Sequence, residues 1–330
     1  GVTTVIGGPD GGSDLSIAGL LTDFEATPAS VNFGSFIGHN TVRKAVMGRE
    51  DRVPTEVELD AMRQLVETGM RDGAFGLSSG LKYIPGAYSE TDEVIELAKV
   101  AGQYGGIYIS HMREEGLDLI KSVRETIQVG EKAELPAQIT HHKVVGVGMW
   151  GASVATLALV DAANARGVDV SIDQYPYTAS STGINVLFPA WSLAGKRDVR
   201  LARLHDPETR ARIKEGIVSN LIHDRGGNDP ARVAIAICEW DTSLNGKNLA
   251  QVLEERGLPV NMDTAAELVM EIEENGGCFG VFHAMSEEDV ARIMQHPRTM
   301  IASDGGIHVP GEGVPPVSYT HLRAHETERL

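Results

Sequence analysis

The sequence predicts an α/β protein built on a parallel (β/α)8 barrel, and two observations carry that expectation. Short apolar runs alternate with longer stretches in which apolar residues recur at i, i+3, i+4 and i+7, the pattern of parallel strands joined by helices. Six successive runs also end in polar clusters: GGPD, GHN, SSG, SHMREE, THHK and DQYPY. A barrel builds its active site from the C-terminal ends of its strands and the loops after them. A doubly wound sheet places ligands at one switch point, so a series of polar ends favours the barrel.

The expected strands are 2–8 (VTTVIGG), 31–37 (VNFGSFI), 74–79 (AFGLSS), 106–110 (GIYIS), 137–140 (AQIT) and 168–172 (VDVSI). Helices are expected over about 55–70, 90–103, 116–133 and 152–166. Residues 1–177 are thus read as barrel strands two to seven with their helices. The alternation breaks over 178–275, where TASSTGINVLFPAW, a charged helical stretch and the run RVAIAICEW (232–240) read as a lobe on the active-site face. Residues 276–306 are expected to resume the barrel through CFGVFHAM (278–285), a helix over 286–295 and a last strand, TMIASDG. Residues 307–330 show neither period and read as a tail.

Composition narrows the function classes. The 330 residues carry 29 basic and 46 acidic side chains, a net charge of −17. That balance argues against a nucleic-acid partner and for solubility. No apolar run is long enough to cross a membrane, and a cytoplasmic location is expected. The two cysteines, Cys238 and Cys278, lie far apart in no metal-binding spacing and read as reduced, buried thiols.

Four residues at strand ends carry chemistry. His111 ends GGIYISH, His141 ends AQITH, Asp304 ends TMIASD, and Asp10 follows VTTVIGGP in a glycine-rich turn. Each has an ordinary reading alone: a hydrogen-bonded histidine, a Pro-Asp-Gly turn, a capping aspartate. A barrel brings all four to one mouth, and two histidines with two aspartates suit Zn²⁺ with room for a water. Adjacent strand residues face opposite sides, so His142 is expected to point away from His141 in a structural or supporting role.

The stretches GAFGLSSGLKYIPGAYSETDEVIELAKVA, YISHMREE, ITHHKVVGVGMWG, DQYPYTASST and RTMIASDG resemble, in order, the D-aminoacylase (N-acyl-D-amino-acid deacylase) branch of the amidohydrolase superfamily. The resemblance implies a TIM-like metal-dependent hydrolase barrel that cleaves the amide of N-acyl-D-amino acids. It implies one tightly bound zinc on His111, His141 and the turn residue Asp10, with Asp304 as catalytic acid–base and a further metal contact. Lys143 and Tyr175 fall where the family binds substrate, and Lys82 and Tyr83, in SGLKYIPG, are placed to close over it.

The sequence also departs from the family pattern. Pro9-Asp10-Gly11 stands where Asn-Cys-Gly is usual, which puts an oxygen in place of a thiolate and makes a harder site. No His-x-His occurs, and a second metal site would need one. The first strand and the small β-domain of the family are not found, so the barrel is expected to be incomplete on its N-terminal side. VSYTHLRAHETERL replaces the expected C-terminal continuation and reads as foreign to the gene. Two alternatives follow: a dihydroorotase- or hydantoinase-like cyclic amidase, disfavoured because AFGLSSG holds no lysine, or a catalytically inactive fragment.

Overall fold

The computed structural model describes residues 2–27 and 29–305; the expectations for 307–330 lie outside the described residues. Its first part runs β1 (Thr4–Gly7), α1 (Ile17–Ala26), β2 (Asn32–Ser35), β3 (Ile37–Gly38), α2 (His39–Met47) and α3 (Glu56–Arg71). It continues through β4 (Gly76–Gly80), α4 (Thr91–Gln103), β5 (Ile107–His111), α5 (Leu119–Ala133), β6 (Ala137–Ile139), α6 (Ser153–Ala165) and β7 (Val170–Gln174). Next come β8 (Ser180–Gly183), α7 (Arg197–His205), α8 (Pro207–His223), β9 (Val233–Ile237), α9 (Leu249–Glu255), α10 (Met262–Glu274) and β10 (Phe279–Phe282). The described chain closes with α11 (Glu287–Met294) and β11 (Thr299–Ile301).

The helices sit where their sequences dictate. Thr55 and Glu58 form a capping box at the start of α3, each side chain satisfying the other's backbone donor. Val94, Ile95, Leu97, Ala98 and Ala101 give α4 its buried face, and Val123, Ile127 and Val129 do the same for α5. The strands between them are buried on both faces, which is why they read as unbroken apolar runs.

Six strands form one parallel sheet in the order β11-β7-β6-β5-β4-β3. A separate parallel pair, β1 and β2, precedes it. The single strand expected over 31–37 is therefore two: β2 pairs with β1, the chain shifts at Phe36, and β3 pairs with β4. Apolarity marked this stretch as buried, but it could not mark where the pairing partner changes.

A larger difference concerns CFGVFHAM. Phe279–Phe282 pairs antiparallel with β8 and β9 in a three-stranded sheet, order β8-β10-β9. It shares a core with Ile213, Ile217 and Leu221 of α8 and with Val269 and Ile272 of α10. The lobe therefore runs on through β10, and the parallel sheet resumes only with α11 and β11. The same pairing corrects the cysteine reading. With Ile237 opposite Phe279, Cys238 and Cys278 are neighbours across the two strands, Cα atoms 4.5 Å apart, and are joined in a disulfide.

No helix among the described residues is long and apolar enough to cross a membrane. A buried ionic group ties α2 to α4: Glu93 accepts from His39 Nε2 at 2.7 Å and from Arg43 Nη1. Burial alone would raise the Glu93 carboxyl, but its two partners outweigh burial and hold it below its ordinary value. The stabilisation is thus present at neutral pH and fades as pH falls through the folded-state value. Removing one member of such a group leaves an uncompensated buried charge. Glu93→Ala should cost about 3–5 kcal/mol in urea unfolding at pH 7; a loss below about 1 kcal/mol would show that Arg43 finds other compensation.

Candidate active site

The turn after β1 is threaded through a narrow gap. Asp10 and Gly11 both have left-handed backbones, φ 58° and 75°. A Cβ on Gly11 would fall 2.1 Å from Asn40 Oδ1, and one on Gly80 would fall 2.1 Å from the Asp10 carbonyl oxygen. Only glycines let the turn rest on the ends of β3 and β4 this closely. Ser78 of β4 fastens it: its hydroxyl donates to the Gly8 carbonyl at 2.6 Å and accepts from the Gly11 N–H at 3.2 Å. Asn40 clamps the far side, donating to the Gly80 carbonyl at 2.9 Å and accepting from its N–H at 3.1 Å.

This seating presents the Asp10 carboxylate to two histidines. Asp10 Oδ2 is 3.2 Å from His111 Nδ1, and both Asp10 oxygens are 3.2 Å from His141 Nε2. The imidazoles, both buried, meet edge to face with centroids 4.3 Å apart. Among the described residues these three side chains form the one group of histidine, cysteine or acidic residues able to converge on a cation.

The spacing suits a metal better than hydrogen bonds. Charge-assisted N–H···O contacts usually measure about 2.7–2.9 Å. Donors of a tetrahedral zinc with bonds of about 2.0–2.1 Å stand roughly 3.3–3.4 Å apart, close to the 3.2 Å observed. Although burial would raise Asp10, His141 and His111 lower it well below the carboxylate range. Burial pushes His111 down to about 4, so it is neutral at pH 7. Burial and Lys143 also push His141 down, but Asp10 outweighs them and draws it up. Lys143 Nζ lies 2.6 Å from His141 Nδ1. With a cation in place of the proton on Nε2, the ring would be neutral and Nδ1 would accept from the Lys143 ammonium.

His141 is itself strained, with φ 38°. Its backbone N–H donates to Asp173 Oδ1 at 2.7 Å and that of His142 to the Asp173 carbonyl at 2.8 Å, so β7 holds the bend. His142 points away from the site as expected, though both histidines lie in the turn beyond β6 and not on the strand, with Nε2 2.8 Å from Thr156 of α6; burial lowers its pKa to about 4.

The other expected residues divide. Asp304 stands outside the close trio, solvent-exposed and with φ 48°. Tyr83 stacks obliquely on His111 at 4.5 Å, and its hydroxyl pairs with Thr182 of the lobe. Tyr175 lies 6.3 Å from His141, beneath the Lys143 ammonium. Lys82 is turned to the lobe, donating to Glu114 at 2.8 Å and Asp224 at 2.9 Å. Lys143 is buried and already donates to Glu115 Oε1 at 2.5 Å and to His141, leaving one N–H for anything else.

Sequence reasoning missed Glu115, Arg225, Asp173 and Ser78. Glu115, Asp173 and Ser78 left a trace in the polar clusters SHMREE, DQYPY and SSG, though not of their roles; Arg225 left none, since it acts across a sequence distance no local pattern encodes.

No family model matches the chain. It is 36% identical over 292 residues to a D-aminoacylase of Alcaligenes xylosoxydans xylosoxydans, covering 88% of this chain and 50% of that protein. The chain resembles D-aminoacylases over most of its own length. A D-aminoacylase crystal structure, described as defining a novel subset of amidohydrolases, superposes with a TM-score of 0.72 at 31% identity, covering 92% of this chain and 59% of that one. An N-acyl-D-glutamate deacylase from Bordetella bronchiseptica, complexed with zinc and a phosphonate mimic of the tetrahedral intermediate, gives 0.73 at 27% identity with the same coverage. The chain spans about half the length of the curated D-aminoacylase it matches.

Ser78 offers a direct check on how the Asp10 turn is held. Ser78→Ala removes one donor and one acceptor and strands the Gly11 N–H. It should cost roughly 1–3 kcal/mol of stability by denaturant unfolding. A change near zero would mean the glycine packing alone seats Asp10.

Proposed function

We propose that this chain hydrolyses the amide bond of N-acyl-D-amino acids to a carboxylate and the free D-amino acid, using one zinc ion. The observation that carries this reading is the Asp10–His111–His141 trio at strand ends, in a chain 36% identical to a D-aminoacylase. The six parallel strands follow one another without the reversal of a doubly wound sheet. That order supports reading them as an arc of a (β/α)8 barrel, with residues 178–285 as a lobe over its mouth.

The donor set fits the metal. His111 would bind through Nδ1 and His141 through Nε2, the atoms that face Asp10, and Asp10 would add a carboxylate oxygen. Zinc held there supplies a water with its pKa brought from 15.7 to roughly 7 and polarises the scissile carbonyl.

The chain's own residues do the rest. Asp304, at the open edge of the site, accepts the proton of the attacking water and returns it to the departing amine nitrogen. The remaining N–H of Lys143 and the Tyr175 hydroxyl meet the substrate carboxylate. Tyr83, packed on His111 and reaching Thr182, closes the site from the side of the lobe, while Lys82 holds the lobe down.

Two experiments test the reading. The chain loaded with zinc should release methionine from N-acetyl-D-methionine and leave the L-enantiomer largely intact; equal release from both refutes the stereochemical claim. Metal analysis should separate three variants. His141→Ala should purify without zinc, since it removes one of three ligands. His142→Ala should keep its zinc, and Asp304→Asn should keep zinc but lose turnover. Zinc lost from His142→Ala and kept in His141→Ala would reverse the assignment of the two ring faces.

A further inference from the structure

Glu115 lies four residues beyond His111, fully buried, and the reading above leaves it without a task. Its two oxygens divide their partners evenly. Oε1 accepts from Lys143 at 2.5 Å and lies 3.5 Å from His141 Nδ1. Oε2 accepts from Arg225 Nη2 at 2.8 Å and lies 3.6 Å from His111 Nε2. One carboxylate thus stands behind both imidazoles, on the side away from Asp10, and is joined to the lobe through Arg225.

A buried carboxylate needs this company. It is costly to hide from water without donors, and Lys143 and Arg225 supply them. The consequence reaches the histidines. Anchored on Glu115, the Lys143 ammonium keeps His141 Nδ1 as an acceptor and aims Nε2 at Asp10. His111 Nε2 lies 3.6 Å from Glu115 Oε2, beyond hydrogen-bond distance; with a cation on Nδ1 the ring's proton would sit on Nε2, where the nearby carboxylate charge favours it. Outer carboxylates that fix tautomer and ring orientation are how metal-binding histidines are ordinarily held.

We propose that Glu115 is a positioning residue: it seats both metal-binding histidines from behind and, through Arg225, ties their orientation to the docking of the lobe. The proposal rests on the metal reading above. Its test compares Glu115→Gln with Glu93→Gln, which breaks an equally buried ionic group between α2 and α4. Zinc affinity is measured by chelator competition, and the visible spectrum of the cobalt-loaded chain reports ligand geometry. Glu115→Gln should weaken zinc binding about 10–100-fold and alter the cobalt bands; Glu93→Gln should lower the melting temperature and leave both readouts unchanged. A folded Glu115→Gln with unaltered zinc affinity and cobalt spectrum overturns the proposal. If Glu115→Gln does not fold, the Glu115→Gln/Arg225→Gln pair, which removes a cation with the anion, is measured instead. The same losses support the proposal, and unaltered readouts overturn it. If the unsubstituted chain takes up no zinc, the metal reading falls and the proposal with it; zinc uptake shared equally by the variant defeats the proposal alone.

Discussion

The site depends on one arrangement: the Asp10 carboxylate held 3.2 Å from two imidazoles that arrive from β5 and β6. Everything nearby is shaped to keep it there. Asp10, His141 and Asp304 are three of the five non-glycine residues with positive φ among the described residues. Such backbones cost of order 1–3 kcal/mol each and persist only where the surroundings over-determine them. Here the surroundings are Ser78 under the Asp10 turn and Asp173 under the His141 bend.

Around this centre the protein hides charge in balanced groups. Glu115 lies between Lys143 and Arg225, and Lys82 between Glu114 and Asp224. Two of these ion pairs, Arg225–Glu115 and Lys82–Asp224, join the lobe to the loops after β4 and β5. Lifting the lobe would separate both at once and leave buried charges uncompensated, at a cost of several kcal/mol. The lobe is therefore seated on the sheet and is not a free flap.

Much of this was legible in the sequence, for physical reasons. Parallel strands buried on both faces must be apolar throughout, and amphipathic helices must repeat every 3.6 residues, so β4 to β7 and α3 to α6 stand close to their expected bounds. Polar residues ending such strands have few places to point but a common mouth, which is why Asp10, His111 and His141 could be named together. Pairing was not legible. An apolar run looks the same in either sheet, so CFGVFHAM was read into the barrel while Phe279–Phe282 joins the lobe. Cys238 and Cys278 are 40 residues apart and meet only because β9 and β10 are antiparallel neighbours. Glu115 and Arg225, 110 residues apart, look like solvated loop charges until the fold buries them against each other. Lys143 was foreseen at the site, but its two partners inside the protein were not.

The central claim is that Asp10, His111 and His141 together hold the metal. X-ray absorption at the zinc edge of the loaded chain tests it most directly. The account predicts one zinc per chain in a shell of nitrogen and oxygen donors at about 2.0–2.1 Å, with multiple scattering from two imidazoles. A sulfur shell near 2.3 Å, or a zinc with no imidazole neighbours, would contradict it.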